Sequence, residues 1–282
     1  MEKENKPEAV PDAAELSEQE IAENKKIADL KQEALLDKQI ARRRFIAFGS
    51  FIVLQAAAFG GWKWLANSPV EAKTVTAGAK APLRRALNQT ELFCRRLFSN
   101  NHLVKTYPKE MVPKKLRSNS YEGMPDKFNP ADWKMQVIKS PTETLTLTIE
   151  DIKALPKTEL IYDFKCVEGW DEIQHWAGVK FTDFVAHYKL ETQAAMEYVG
   201  FATEDKQYYV GIDMPSAMHP QTLLAYEVND GPIPILNGAP LRLIIPVKYG
   251  IKNLKRIATI SFSNQRPPDY WAERGYDYYS GL

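Results

Sequence analysis

Apolar residues change their spacing along the chain, and each change predicts a different kind of element. Between Ala14 and Ile40 they are sparse, at Leu16, Ile21, Ile27, Leu30, Leu35 and Ile40, in a background of Glu, Lys, Ala and Gln. That background favours helix, but the apolar stripe is too narrow to bury a core, so residues 1–41 read as a charged, solvated tail. From Phe45 to Leu65 the apolar residues become nearly continuous, broken by Gln55 and Lys63, over about 21 residues, enough to cross a bilayer as a helix. Beyond Trp133 they alternate. Trp133 to Ile138, Glu143 to Ile149, Leu160 to Tyr162, Glu197 to Phe201, Tyr208 to Ile212, Leu241 to Pro246 and Ile257 to Phe262 all read as strands. Helices are expected from Thr148 to Ile152 onward, with Thr148 or Glu150 near the cap and a stop at Leu155-Pro156, and over Phe181 to Tyr188, entered through Thr182. A short helix and strand are expected over His219 to Glu227, and Asn229-Asp230-Gly231-Pro232 is a turn. Short strands with occasional helices and many prolines predict an α+β domain built on a mixed sheet.

The flanks of the continuous run orient it. Arg42, Arg43 and Arg44 precede it, and Trp62 and Trp64 close it with Lys63 between them. Arginines on the near side hold an N-terminus in the cytoplasm, and tryptophans belong at the opposite interface. Residues 42–66 are therefore expected to be a single-pass anchor in the cytoplasmic membrane, with the rest of the chain on the periplasmic side. The stretch also resembles a twin-arginine export signal. Val70-Glu71-Ala72 is a weak cleavage candidate, and a retained anchor is the expectation. Residues 67–89, rich in Ser, Pro, Thr, Ala and Gly, read as a linker, and 90–282 as the folded domain.

Charge narrows the function classes. The 37 basic and 36 acidic residues nearly cancel, so no bulk field points to nucleic acid. The two cysteines, Cys94 and Cys166, form no CxxC pair, and the four histidines show no metal-ligand spacing. A metal would have to arrive largely inside a cofactor. Cys94, although beside Arg95 and Arg96, reads as a packing residue, and His175 and His219 carry no assigned role. A lone cysteine is most often a small buried hydrophobe. Cys166 invites a second reading, because it stands where a strand gives way to a turn-prone acidic segment, with Glu168 two residues on.

Three separated segments decide between these readings. Cys166-Val167-Glu168-Gly169-Trp170, followed by Trp176-Ala177-Gly178-Val179, resembles the molybdenum-ligand segment of molybdopterin-dependent oxidoreductases of the sulfite-oxidase fold. Asn237 to Leu243, continuing to Lys248-Tyr249-Gly250 and Lys255, is similar to that family's cofactor-binding run, and Phe98 with Asn101-His102-Leu103 to its Asn-His element. The resemblance implies a mixed-sheet, sulfite-oxidase-type molybdopterin-binding domain carrying molybdenum-molybdopterin. It implies Cys166 as thiolate ligand to the metal, and Asn101, His102, Thr203, Asn237, Arg242, Asn253 and Lys255 as cofactor-binding residues. The chemistry agrees: a thiolate is a soft donor for a sulfur-rich centre, and Arg242 and Lys255 suit a phosphate.

Within the family the segment after the cysteine separates the branches. Sulfite oxidases follow it with basic residues. Here Glu168, Asp171 and Glu172 follow, which disfavours a doubly charged anion. The Cys-Val-Glu-Gly-Trp form is more similar to the periplasmic branch that reduces protein-bound methionine sulfoxide, with Glu168 as a candidate for proton handling. Electrons would come from a separate partner, a membrane haem protein or a small cytochrome. The alternatives are a sulfite-oxidising enzyme of the same fold and a membrane-anchored binding or assembly module without turnover.

Overall fold

A computed structural model describes residues 18–70, 78–98, 101–117, 123–124 and 128–281. The chain divides into two compact units, residues 1–67 and 68–282. In the first, one helix, α1 (Glu18–Asn67), carries both the charged segment and the apolar run without a break. Its Ile21–Asn67 stretch is long and apolar enough to cross a membrane. Phe45, Phe48, Phe51 and Trp62 stand exposed along it.

The second unit holds the rest. Where a linker over 67–89 is expected, the chain instead forms a helix, α2 (Ala81–Leu97), so the connection ends nine residues earlier. Pro82 sits in its first turn, where the missing N–H costs nothing. Glu71 and Ala72 of the cleavage candidate lie outside the described residues. The strands β1 (Met135–Ser140), β2 (Glu143–Leu147) and β3 (Lys157–Lys165) stand where the alternation places them, whereas β4 (Asp171–Lys180) is not expected from it. Next come β5 (Tyr198–Ala202), β6 (Tyr209–Asp213), β7 (Leu223–Val228), β8 (Gly231–Pro232), β9 (Arg242–Ile244) and β10 (Thr259–Ser263). Between them lie α3 (Ile149–Lys153), α4 (Phe181–His187), α5 (Glu191–Ala194) and α6 (Met214–Ala217). Thr148 caps α3 through a reciprocal box with Asp151, whereas α4 starts from Lys180 with no side-chain cap, not through Thr182.

One sheet runs β2-β1-β10-β5-β6 and is mixed, because β1 pairs parallel with β10, Val137 opposite Ile260, while its other pairings are antiparallel. The other runs β3-β4-β7-β8, all antiparallel, with β9 also on β7. Residues on the first sheet, together with Phe181 and Phe184 of α4, form the main core. A smaller core of Tyr162, Phe164, Trp176, Ala225 and Ile244 lies on the second sheet, under the end of β3.

Candidate functional site

The β3–β4 hairpin places the thiol. Pairing runs to Lys165 opposite Asp171, and the five residues Cys166 to Trp170 make the loop. Its ends are tied by the Cys166 amide donating to Trp170 O at 2.9 Å and the Gly169 amide to Cys166 O at 3.1 Å. Gly169 has φ +85°, a left-handed turn that a side chain would strain. Cys166 is 6% exposed and in no disulfide. It lines a narrow cleft of about 80 Å³ with Glu168, Arg242, Gly250, Asn253, Lys255 and Tyr276, among others. Gly250 comes so close to Phe164 that a Cβ there would lie 2.6 Å from the ring, so only glycine leaves this wall in place.

Arg242 enters from β9. Its guanidinium lies 4.9 Å from the Trp176 ring centroid and 5.7 Å from that of Phe164. Nη1 donates to Asn237 O at 3.0 Å, while the buried Nε has no hydrogen-bond partner. Burial pushes this guanidinium down to about 10, against the opposing influence of Tyr162 and Tyr208. No carboxylate forms an ion pair with it among the described residues. A buried cation with a spare donor at a cleft wall calls for an anion from outside the chain. Lys255, buried on the same wall, adds a second positive charge. A buried thiol beside two cations fits a cofactor with a soft metal and a phosphate, and these residues would hold it.

The other expected residues are used differently. Asn253 lines the cleft, and its carboxamide also ties the backbone, accepting from Ile245 N at 2.7 Å and donating one N–H to Tyr249 O at 3.2 Å. Asn237 is buried on a separate groove beside Leu236 and contributes its carbonyl to Arg242. The Thr203 hydroxyl donates to Asp205 at 2.6 Å and accepts from Tyr208 N at 3.2 Å, fixing the turn before β6 outside the cleft lining. Glu168 is exposed and accepts from Trp170 Nε1 at 2.9 Å. His102 lies on a wider adjoining cavity of about 640 Å³, with Cys94, Tyr249 and Tyr279; Val167 and Tyr276 line both spaces. Burial pushes Tyr279 up to about 12, which keeps its phenol a neutral donor.

Two residues were not legible as site residues. His219, fully buried, has Nε2 3.1 Å from His102 O, and its Nδ1 accepts from Gln221 N at 3.3 Å, so it is the neutral tautomer donating to the His102 carbonyl. Burial lowers its pKa, consistent with that tautomer. Arg117 lays its guanidinium 4.5 Å from the Trp170 ring centroid, and its amide donates to Glu172. The mouth beside Cys166 is therefore not purely acidic, as the order of residues suggests; a cation from a distant loop is folded onto it.

Comparison with known proteins bears on this geometry. The profile of the family described as oxidoreductase molybdopterin binding domain matches residues 121–271. YedZ1 of Azospira oryzae, provisionally named a protein-methionine-sulfoxide reductase subunit, is 34% identical over 187 residues, 66% of this chain and 70% of the relative. The protein-methionine-sulfoxide reductase catalytic subunit MsrP of Ralstonia nicotianae is 30% identical over 259 residues, 81% of this chain and 74% of the relative. MsrP of Campylobacter jejuni is 35% identical over 176 residues, 55% of this chain and 58% of the relative. The chain belongs to the oxidoreductase family with a molybdopterin binding domain, in the branch of these relatives, and is a molybdenum enzyme whose cofactor is molybdenum-molybdopterin.

Proposed function

We infer that the chain reduces a sulfoxide, in particular methionine sulfoxide within proteins, with Cys166 as the thiolate ligand of the metal. The observation that carries this reading is the buried thiol sharing one cleft with the unsatisfied Arg242 guanidinium. The relatives' names supply the substrate class. When bound, the cofactor supplies two-electron oxygen-atom transfer. The balanced reaction takes a sulfoxide, two electrons and two protons to a thioether and water.

The protein's own groups do the rest. Cys166, fixed by the tied loop, would hold the metal at the cleft. Arg242 and Lys255 would hold the phosphate, and His102, carried by His219, would contact the pterin. Asn101 is proposed beside it. Asn237, Asn253 and Thr203 are proposed as further cofactor contacts, while the Asn237 carbonyl also aims Arg242, the Asn253 carboxamide ties the wall and Thr203 secures the neighbouring turn. Glu168, exposed at the mouth and oriented by Trp170, would supply one of the two protons that the reaction consumes. The substrate is an uncharged group on a protein surface, which suits a mouth of mixed charge.

Electrons come from a separate partner, a membrane haem protein or small cytochrome. The apolar half of α1 anchors the chain in the cytoplasmic membrane with the folded unit on the periplasmic side. The test is full-length protein in detergent, assayed for molybdenum and for turnover of methionine sulfoxide and of sulfite. About one molybdenum per chain with turnover of the sulfoxide supports the reading. Turnover of sulfite alone transfers the chain to the oxidising branch, and absence of molybdenum from a host that makes the cofactor favours a binding module.

A further inference from the structure

Helix α2 is amphipathic the wrong way round for a helix on a folded domain. The face it turns to the domain is the i, i+4, i+7, i+11 row Arg84, Asn88, Glu91 and Arg95. Glu91 is buried and ion-pairs with Arg266, and it accepts from Tyr198 Oη at 3.1 Å. Asn88 accepts from Arg266 at 2.7 Å, and Arg95 donates to Glu197 at 2.6 Å. A second face, centred about 130° round the helix from that row, is apolar and open: Leu83 is 50% exposed, Leu87 42%, Phe93 61% and Leu97 67%. By helical geometry these four fall within one arc of about 120°, flanked by the exposed Arg85 and Arg96. Charged groups that could have faced water are thus committed inward, while large apolar groups point out.

The start of this helix is tied to the first residues of its own unit. Ala81 N donates to Pro69 O at 2.9 Å, Lys80 Nζ donates to Ser68 O at 3.1 Å, and Val70 bridges to Lys80. The first turn of α2 is thereby tied to residues that directly follow Asn67, the last residue of the helix read as the membrane anchor. A helix of this length, about 25 Å long, with an apolar face, a basic flank and a start at the exit of a membrane span, has the features of one lying in a bilayer interface.

We propose that α2 docks on a lipid surface: Leu83, Leu87, Phe93 and Leu97 enter the boundary between headgroups and acyl chains, and Arg85 and Arg96 meet anionic headgroups. This rests on the membrane-anchor reading of α1. The contact would hold the folded unit against the bilayer in one orientation, with Glu91 and Arg266 transmitting that orientation from α2 to the sheet. Thr90, Cys94 and Leu97 of α2 also line the cavity that His102 faces. Thr90 and Cys94 fall in the same arc as the four apolar residues, so at its C-terminal half the docked face borders the mouth of the wide cavity.

The experiment uses the full chain with Cys94→Ser, carrying Leu87→Cys labelled with an environment-sensitive fluorophore. A second sample is labelled instead at Thr144→Cys on the exposed part of β2. Both are reconstituted into vesicles of phosphatidylcholine and phosphatidylglycerol, with and without lipids bearing a quencher at the top of the acyl chain. The proposal expects a blue-shifted emission at position 87 that loses most of its intensity with the quencher lipid, an unshifted and unquenched emission at 144, and weaker quenching at 87 after R85E/R96E. A label at 87 that behaves like the one at 144, in chains that float with the vesicles, overturns the proposal and leaves the anchor standing. A blue shift at 87 without lipid quenching shows that protein, a second copy or a partner, covers the face and also overturns it. Chains that fail to float overturn the anchor and this proposal together.

Discussion

The guanidinium of Arg242 lies 4.9 Å from the centroid of the Trp176 ring, buried, held on one side by Asn237 O, and with its Nε unsatisfied. The ring and the carbonyl fix the direction of the fork, and the spare donor marks where an anion belongs. Among the described residues no carboxylate pairs with this buried charge, and a phosphate in the cleft would do so.

That relationship predicts opposite effects on two forms of the protein. Arg242→Met removes the charge and keeps much of the volume. The cofactor-free variant is expected to be as stable as the parent or more so in chemical denaturation, because replacing a buried unpaired charge relieves its desolvation cost. The loaded variant is expected to retain cofactor more weakly, by roughly tenfold to a hundredfold, the worth of a charge-assisted hydrogen bond of about 1.5–3 kcal/mol. Equilibrium dialysis of the cofactor against each form measures it. Equal cofactor retention by variant and parent would remove Arg242 from the site.

Glu168 is expected to matter to turnover and not to assembly. It is exposed and touches Trp170, so Glu168→Gln leaves the loop hydrogen bonds and the core unchanged. Turnover of methionine sulfoxide should fall by about a hundredfold with molybdenum content unaltered. A variant with parental turnover would assign proton delivery to another group.

The buried His219 gives a pH dependence with a definite sign. Its folded-state pKa is lowered by burial, so the unfolded chain binds the proton more readily below the ordinary value of about 6.5. Stability is therefore expected to fall as pH drops from about 6.5 toward the lower folded value, and this contribution is flat above that window. His219→Gln, whose amide can still donate to His102 O, should lose this part of the slope. Denaturation midpoints from neutral pH to about pH 5 check it, with an unchanged slope in the variant as the contrary result.

The clasp between Glu91 and Arg266 is expected to carry the attachment of α2. Glu91→Ala leaves Arg266 and the Tyr198 hydroxyl without their carboxylate and should cost about 2 kcal/mol or more. The thermal midpoint should drop by several degrees and proteolysis within α2 should accelerate; an unchanged midpoint would show that other contacts hold the helix.

Much of this architecture was legible because period-two alternation reports burial directly, as in β1, where Met135 and Val137 face the core and Gln136 faces out. The placement of Cys166 at the end of β3 beside Glu168 was legible for the same reason. What escaped has physical causes. Helix α2 escaped because its charged row is the one that packs, so its periodicity suggested no core-facing element. Arg117 and His219 escaped because they act across the fold, one on Trp170 and one on the His102 carbonyl, with no local spacing to announce it. The backbone contacts of the Asn253 carboxamide at Ile245 and Tyr249 were not legible either, because they depend on how the turn folds back on β9.

The central claim is that Cys166 gives its sulfur to molybdenum. X-ray absorption at the molybdenum edge on the full-length parent and on Cys166→Ser, each loaded with cofactor, tests it most directly. The account predicts one sulfur neighbour fewer around the metal in the variant, with methionine sulfoxide turnover abolished and the fold retained. An unchanged sulfur count in a variant that still binds molybdenum would contradict it.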